Sequence, residues 1–78
     1  MICTEEIAHR ITVSRKQRGL TQNELSELMG VTPQAVSKWE TGRAIPDLSR
    51  LDELAAVLDV EVTYLLWGSP PIPSSTAD

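Results

Sequence analysis

The chain has 78 residues, 41% hydrophobic and 23% charged, with a net charge of −4. That is enough for one small domain with a modest helical core. A single cysteine, Cys3, excludes an internal disulfide or a multi-cysteine metal site, and no apolar run approaches the roughly 20 residues that span a bilayer.

Glu5 and Glu6 precede any hydrophobic run, which argues against a secretory signal, so a cytoplasmic protein is expected. The first helix is expected from about Thr4 to Arg18. Thr4 is its expected cap, and the two glutamates suit the positive end of the helix dipole. Ile7, Ile11 and Arg15 recur at every fourth position, so Arg15 continues an apolar line. His9 falls on the opposite, polar side, where a solvated histidine is the simplest reading.

Residues 21–42, T-Q-N-E-L-S-E-L-M-G-V-T-P-Q-A-V-S-K-W-E-T-G, encode two short helices joined by a tight turn. Thr21 with Glu24 three residues on is a capping box, flanked by Leu20 and Leu25 in the staple positions. Gly30 supplies the stop, since glycine adopts the left-handed conformation without a Cβ penalty. Thr32 caps again, Pro33 suits the first helical position, and Val31 and Val36 form a second staple. Stop and restart within one turn builds a helix-turn-helix.

At 100° per residue the second of these helices turns Ala35, Val36, Trp39 and Glu40 to one side and Gln34, Ser37, Lys38 and Thr41 to the other. The polar set has two readings. It is a solvated surface, as on any exposed helix, or a base-reading face: Gln34 suits an adenine edge, Lys38 suits guanine or a phosphate, and Ser37 and Thr32 donate to either. Glu40, on the inward side, is unexpected for a carboxylate. Either it pairs with Arg15, which avoids two lone buried charges, or both side chains reach the surface separately.

After Gly42 comes the loop Arg43, Ala44, Ile45, Pro46, and Asp47 caps the next helix. Leu48, Leu51, Leu54, Ala55 and Leu58 form its apolar stripe, with Asp52, Glu53 and Val57 outside it. A last short helix, residues 62–67, should turn Val62, Leu65 and Leu66 inward and stop at Gly68, although Glu61 is a poor cap. Trp67 falls away from that inward set. It is either an exposed aromatic beside Val57 that contributes to a dimer contact, or a tryptophan partly covered by the proline-rich end of the chain. Residues 69–78 hold three prolines and no helical pattern, so residues 1–68 are read as the domain and 69–78 as a loose tail.

Charge is unevenly placed. Residues 1–46 hold six bases (Arg10, Arg15, Lys16, Arg18, Lys38, Arg43) against five acids (Glu5, Glu6, Glu24, Glu27, Glu40). Residues 47–78 hold one base, Arg50, against six acids (Asp47, Asp52, Glu53, Asp59, Glu61, Asp78). The half with the helix-turn-helix is therefore near neutral, and one copy should attract phosphate only modestly.

The helix order and the pattern L-T-Q-x-E-L-S-x-x-x-G-V-T-x-x-x-V-S-K-W-E-x-G resemble the Cro/C1-type (XRE-like) helix-turn-helix family over about residues 7–68. The resemblance implies an all-α, five-helix, lambda-repressor-like DNA-binding domain with its helix-turn-helix at helices 2 and 3. It implies a sequence-specific transcriptional regulator, a repressor binding a palindromic DNA operator as a homodimer. Thr32, Pro33, Gln34, Ser37 and Lys38 match the family's groove-facing positions. Gln22, which also buttresses the next helix, and Arg43 match its phosphate contacts. Arg15 and Glu40 match its ion pair between helix 1 and the end of helix 3. Pro33 replaces a side chain that often reads a base in relatives, and Ala44 and Ile45 stand where more basic residues are common. No cofactor or metal is implied.

An antitoxin or other protein-interaction module of the same fold, with a toxin or other protein partner, would accommodate the acidic second half. It would not need Gln34, Ser37, Lys38 and Arg43 together. An enzyme is disfavoured, because His9 is the lone histidine, Cys3 lies at the start of the chain, and neither has an acid at catalytic spacing.

Overall fold

The computed structural model describes residues 3–68, and the expected tail at 69–78 lies outside them. Five helices follow in order: α1 (Thr4–Gln17), α2 (Gln22–Met29), α3 (Pro33–Thr41), α4 (Leu48–Leu58) and α5 (Val62–Trp67), with no strand among the described residues. The class is all-α, as the periodicity predicts. α1 packs on α3 and α5, α2 on α3 and α4, and α4 on α5. At the centre lie Ile7, Ile11, Leu25, Val36, Leu54, Leu58 and Leu65, all almost fully buried. Burying a leucine or isoleucine side chain stabilises by about 1.5–3 kcal/mol, and Met29, Trp39 and Leu51 extend the same cluster.

The helix-turn-helix forms through its caps. Thr21 Oγ1 accepts from the Glu24 backbone N–H at 3.0 Å while Glu24 Oε1 accepts from the Thr21 N–H at 2.9 Å, closing the capping box. Gly30 sits at φ +70, in the left-handed region where a side chain would be strained. Thr32 Oγ1 accepts from the Ala35 N–H at 3.2 Å, and Pro33 opens α3. Leu20 and Val31, the apolar residues just before the two caps, are partly buried against the core that contains Leu25 and Val36.

Several expectations need correction. Cys3, not Thr4, is the N-cap of α1, and it makes no side-chain cap; the helix ends at Gln17 with Arg18 as C-cap. Thr4 belongs to the first turn. Leu48 does not join the apolar stripe of α4: it is 72% exposed. As the first residue of α4 it lies in a turn with too few neighbouring atoms to bury it, so periodicity alone overstates its burial. Val57, expected outside the stripe, is half-buried and packs against the core. Asp47 caps α4 as expected, Oδ1 accepting from the Arg50 N–H at 2.9 Å. α5 has no side-chain cap at Glu61. Its far end is held from outside, by Arg10 of α1.

Candidate nucleic-acid interface

The face of α3 that carries the candidate readers is bounded by its own buried side. Val36 and Trp39 are buried, and Ala35 is half-buried against the core. That orientation leaves Thr32, Pro33, Gln34 and Lys38 exposed together, over a rise of about 9 Å at 1.5 Å per residue. Ser37 departs from expectation by being half-buried, since it lies at the edge between the two faces. Thr41, also outward, is committed locally, its hydroxyl donating to the Ser37 carbonyl at 2.9 Å. Thr32 keeps its hydroxyl proton for an outside acceptor, because its oxygen serves the helix only as acceptor.

Lys38 and Arg43 are exposed, and neither is paired with an acid among the described residues. Arg43 follows the left-handed stop at Gly42, and its backbone N–H donates to the Lys38 carbonyl at 2.9 Å. The last turn of α3 therefore ties the loop to the helix that carries Lys38. Lys16 and Arg18, at the end of α1, are also exposed and add positive charge just before α2.

Behind this face the Arg15 guanidinium grips the Glu40 carboxylate. Nε donates to Oε2 at 2.6 Å and Nη2 to Oε1 at 3.1 Å, a two-point contact that fixes orientation as well as distance. The side chains are 11% and 4% exposed, so water offers little competition. Nη1 of Arg15 donates to the Leu20 carbonyl at 2.7 Å, and Gln22 Nε2 donates to Glu40 Oε1 at 3.0 Å. One ion pair therefore joins α1, the entry to α2 and the end of α3. Gln22, half-buried, is part of that network and not a freely exposed side chain. Helical periodicity could place Arg15 and Glu40 on inward faces, but nothing in it orients the Gln22 amide toward Glu40.

Trp67 is 54% exposed, so it stands on the surface of the described residues, while Val57 is half-buried against the core. No group of three or more His, Cys, Asp and Glu that could hold a metal occurs among the described residues. No described helix is long and apolar enough to cross a membrane.

A helix-turn-helix family model matches residues 6–65 of the chain. The chain belongs to the Cro/C1-type helix-turn-helix family. It is similar to an uncharacterized HTH-type transcriptional regulator, YonR, from the SPbeta prophage of Bacillus subtilis, at 35% identity over 60 residues, covering 77% of this chain and 56% of the relative. Among solved structures it resembles the P22 c2 repressor bound to a synthetic operator, with TM-score 0.79 and 32% identity, covering 85% of this chain and all of that one. It also resembles the biofilm regulator SinR in complex with DNA, with TM-score 0.71 and 37% identity, covering 76% and 95% of the two chains. The chain spans about half the length of the curated relatives it matches.

Proposed function

We propose that this member of the helix-turn-helix family is a sequence-specific DNA-binding regulator that acts in the cytoplasm as a repressor. In this reading it binds a palindromic operator as a homodimer. The supporting observation is the face of α3: Thr32, Pro33, Gln34 and Lys38 exposed side by side, with Ser37 at its edge and Arg43 just beyond, unpaired with any acid among the described residues. A helix of this length enters the major groove, where Gln34 matches an adenine edge and Lys38 a guanine edge or a phosphate. Gln22 and Arg43 take phosphates and set the register without reading sequence.

Dimerisation is expected from the charge. One copy offers few cations, and two copies on successive half-sites double the phosphate contacts. Trp67 is the exposed aromatic available for the contact between copies, with Val57 contributing at most its uncovered edge.

The acid excess of residues 47–78 favours a second reading, a protein-interaction module of antitoxin type that docks a toxin or another protein and has weak DNA affinity. Selection of binding sites from a random duplex pool separates the two. A regulator returns a palindromic consensus with half-sites about one helical turn apart. A pool that stays random after repeated rounds excludes the first reading.

A further inference from the structure

Glu40 has more to do than balance Arg15. Its carboxylate accepts three hydrogen bonds: two from Arg15, and one from the side chain of Gln22 at 3.0 Å on the same oxygen that takes Arg15 Nη2. A carboxylate paired with a guanidinium offers only lone pairs, so the Gln22 atom that faces it is the amide nitrogen. That removes the usual freedom of a glutamine to turn its amide over. One N–H of Gln22 is spent on Glu40, and among the described residues the side chain makes no other hydrogen bond. The second N–H is left to donate. The amide that carries it is anchored to a group that is 4% exposed and itself anchored to α1.

We infer that Glu40 is a positioning residue for DNA binding: it holds the Gln22 amide so that its second N–H is delivered to a phosphate of the duplex. The inference rests on the DNA-binding reading above. An unanchored glutamine loses rotamer freedom when it is fixed, which offsets much of the gain from its phosphate contact. Held in advance by Glu40, Gln22 has already lost that freedom in folding. Phosphate carries no sequence information, so the gain applies to operator and random duplex alike.

The experiment is a mutant cycle read in DNA affinity. Arg15→Met with Glu40→Met removes the anchor while leaving no lone buried charge, so this pair should disturb the fold less than either single change. Gln22→Ala is then placed in the wild-type chain and in this apolar-pair background. In the wild-type chain Gln22→Ala should weaken binding about fivefold, the value of one net hydrogen bond of about 1 kcal/mol. In the apolar-pair background the same substitution should change affinity by less than about twofold, on operator and random duplex equally. Equal losses in both backgrounds would mean that Glu40 is structural only. Failure of the wild-type chain to bind any duplex removes the underlying reading and this inference with it, whereas binding without coupling removes this inference alone.

Should the apolar pair unfold, the side-chain amide protons of wild-type Gln22 decide the matter by NMR, with exposed Gln17, which the DNA-binding reading leaves off the duplex, as internal reference. Of the two Gln22 proton signals, adding duplex should shift the one not bonded to Glu40 clearly more than the other. Equal movement of the two, or movement of neither, would overturn the assignment.

Discussion

Arg10 of α1 and Leu66 of α5 close the two ends of the fold on each other. Nη1 of Arg10 donates to the Leu66 carbonyl at 3.2 Å and to the Leu65 carbonyl at 3.3 Å, while Nη2 bonds Glu6 at 3.0 Å. These carbonyls belong to the last turn of a six-residue helix that lacks a side-chain N-cap. A cation at a helix C-terminus also complements the dipole. α5 is thus held by a residue more than fifty positions away in sequence.

Gly68 lies against that guanidinium. Its φ is +76, and a Cβ added there would come within 2.6 Å of Arg10 Nη2. Gly68→Ala should therefore destabilise by about 1–2 kcal/mol from the left-handed backbone alone. Displacement of Arg10 from its carbonyls adds to this. In an Arg10→Met background only the backbone part should remain, which urea unfolding of the single and double mutants measures.

Arg15→Met or Glu40→Gln should each cost on the order of 3 kcal/mol, because each strands a partner that is almost fully buried. Replacing both by apolar residues should cost much less than the sum. Additive losses in urea melts would mean that the two side chains contribute independently.

Leu48 and Leu54 are both leucines of α4, yet they should behave oppositely. Leu48→Ser should change stability by no more than about 0.5 kcal/mol, as for other exposed sites. Leu54, fully buried, should cost about 2–5 kcal/mol on truncation to alanine. Thermal or urea melts of the two variants check this.

On a selected operator, Gln34→Ala and Lys38→Ala should each weaken binding by about 1–3 kcal/mol and relax preference at their base positions. Arg43→Ala should weaken all duplexes similarly and flatten the salt dependence by about one unit of slope. Titrations at several salt concentrations distinguish the two patterns. Unchanged preference in Gln34→Ala would remove α3 from the groove.

Trp67→Ser should leave the fold intact, since the ring is 54% exposed, but should lower the affinity of the second copy for a palindrome. Sedimentation of protein with full-site and half-site duplexes measures this directly. Identical assembly by the variant would place the contact between copies elsewhere.

Local chemistry was enough to delimit the helices of the helix-turn-helix. A capping box, a left-handed glycine and a Thr-Pro restart act over three or four residues, so Thr21, Glu24, Gly30, Thr32 and Pro33 act where the pattern puts them. The 3.6-residue period likewise sorted Val36 and Trp39 inward from Gln34 and Lys38 outward, and put Arg15 and Glu40 on faces that meet. Tertiary structure decided what periodicity cannot carry. Leu48 shares the phase of a buried stripe but lies at the helix start, and burial depends on the atoms that surround a residue. Cys3 displaced Thr4 as the α1 cap because either residue could begin the helix. Arg10 looks like one more surface cation until α5 brings its carbonyls within reach, and Gln22 becomes an anchored amide only when the end of α3 arrives beside the start of α2. Hydrogen bonds between residues far apart in sequence depend on distance in space, and only the packed helices set that distance.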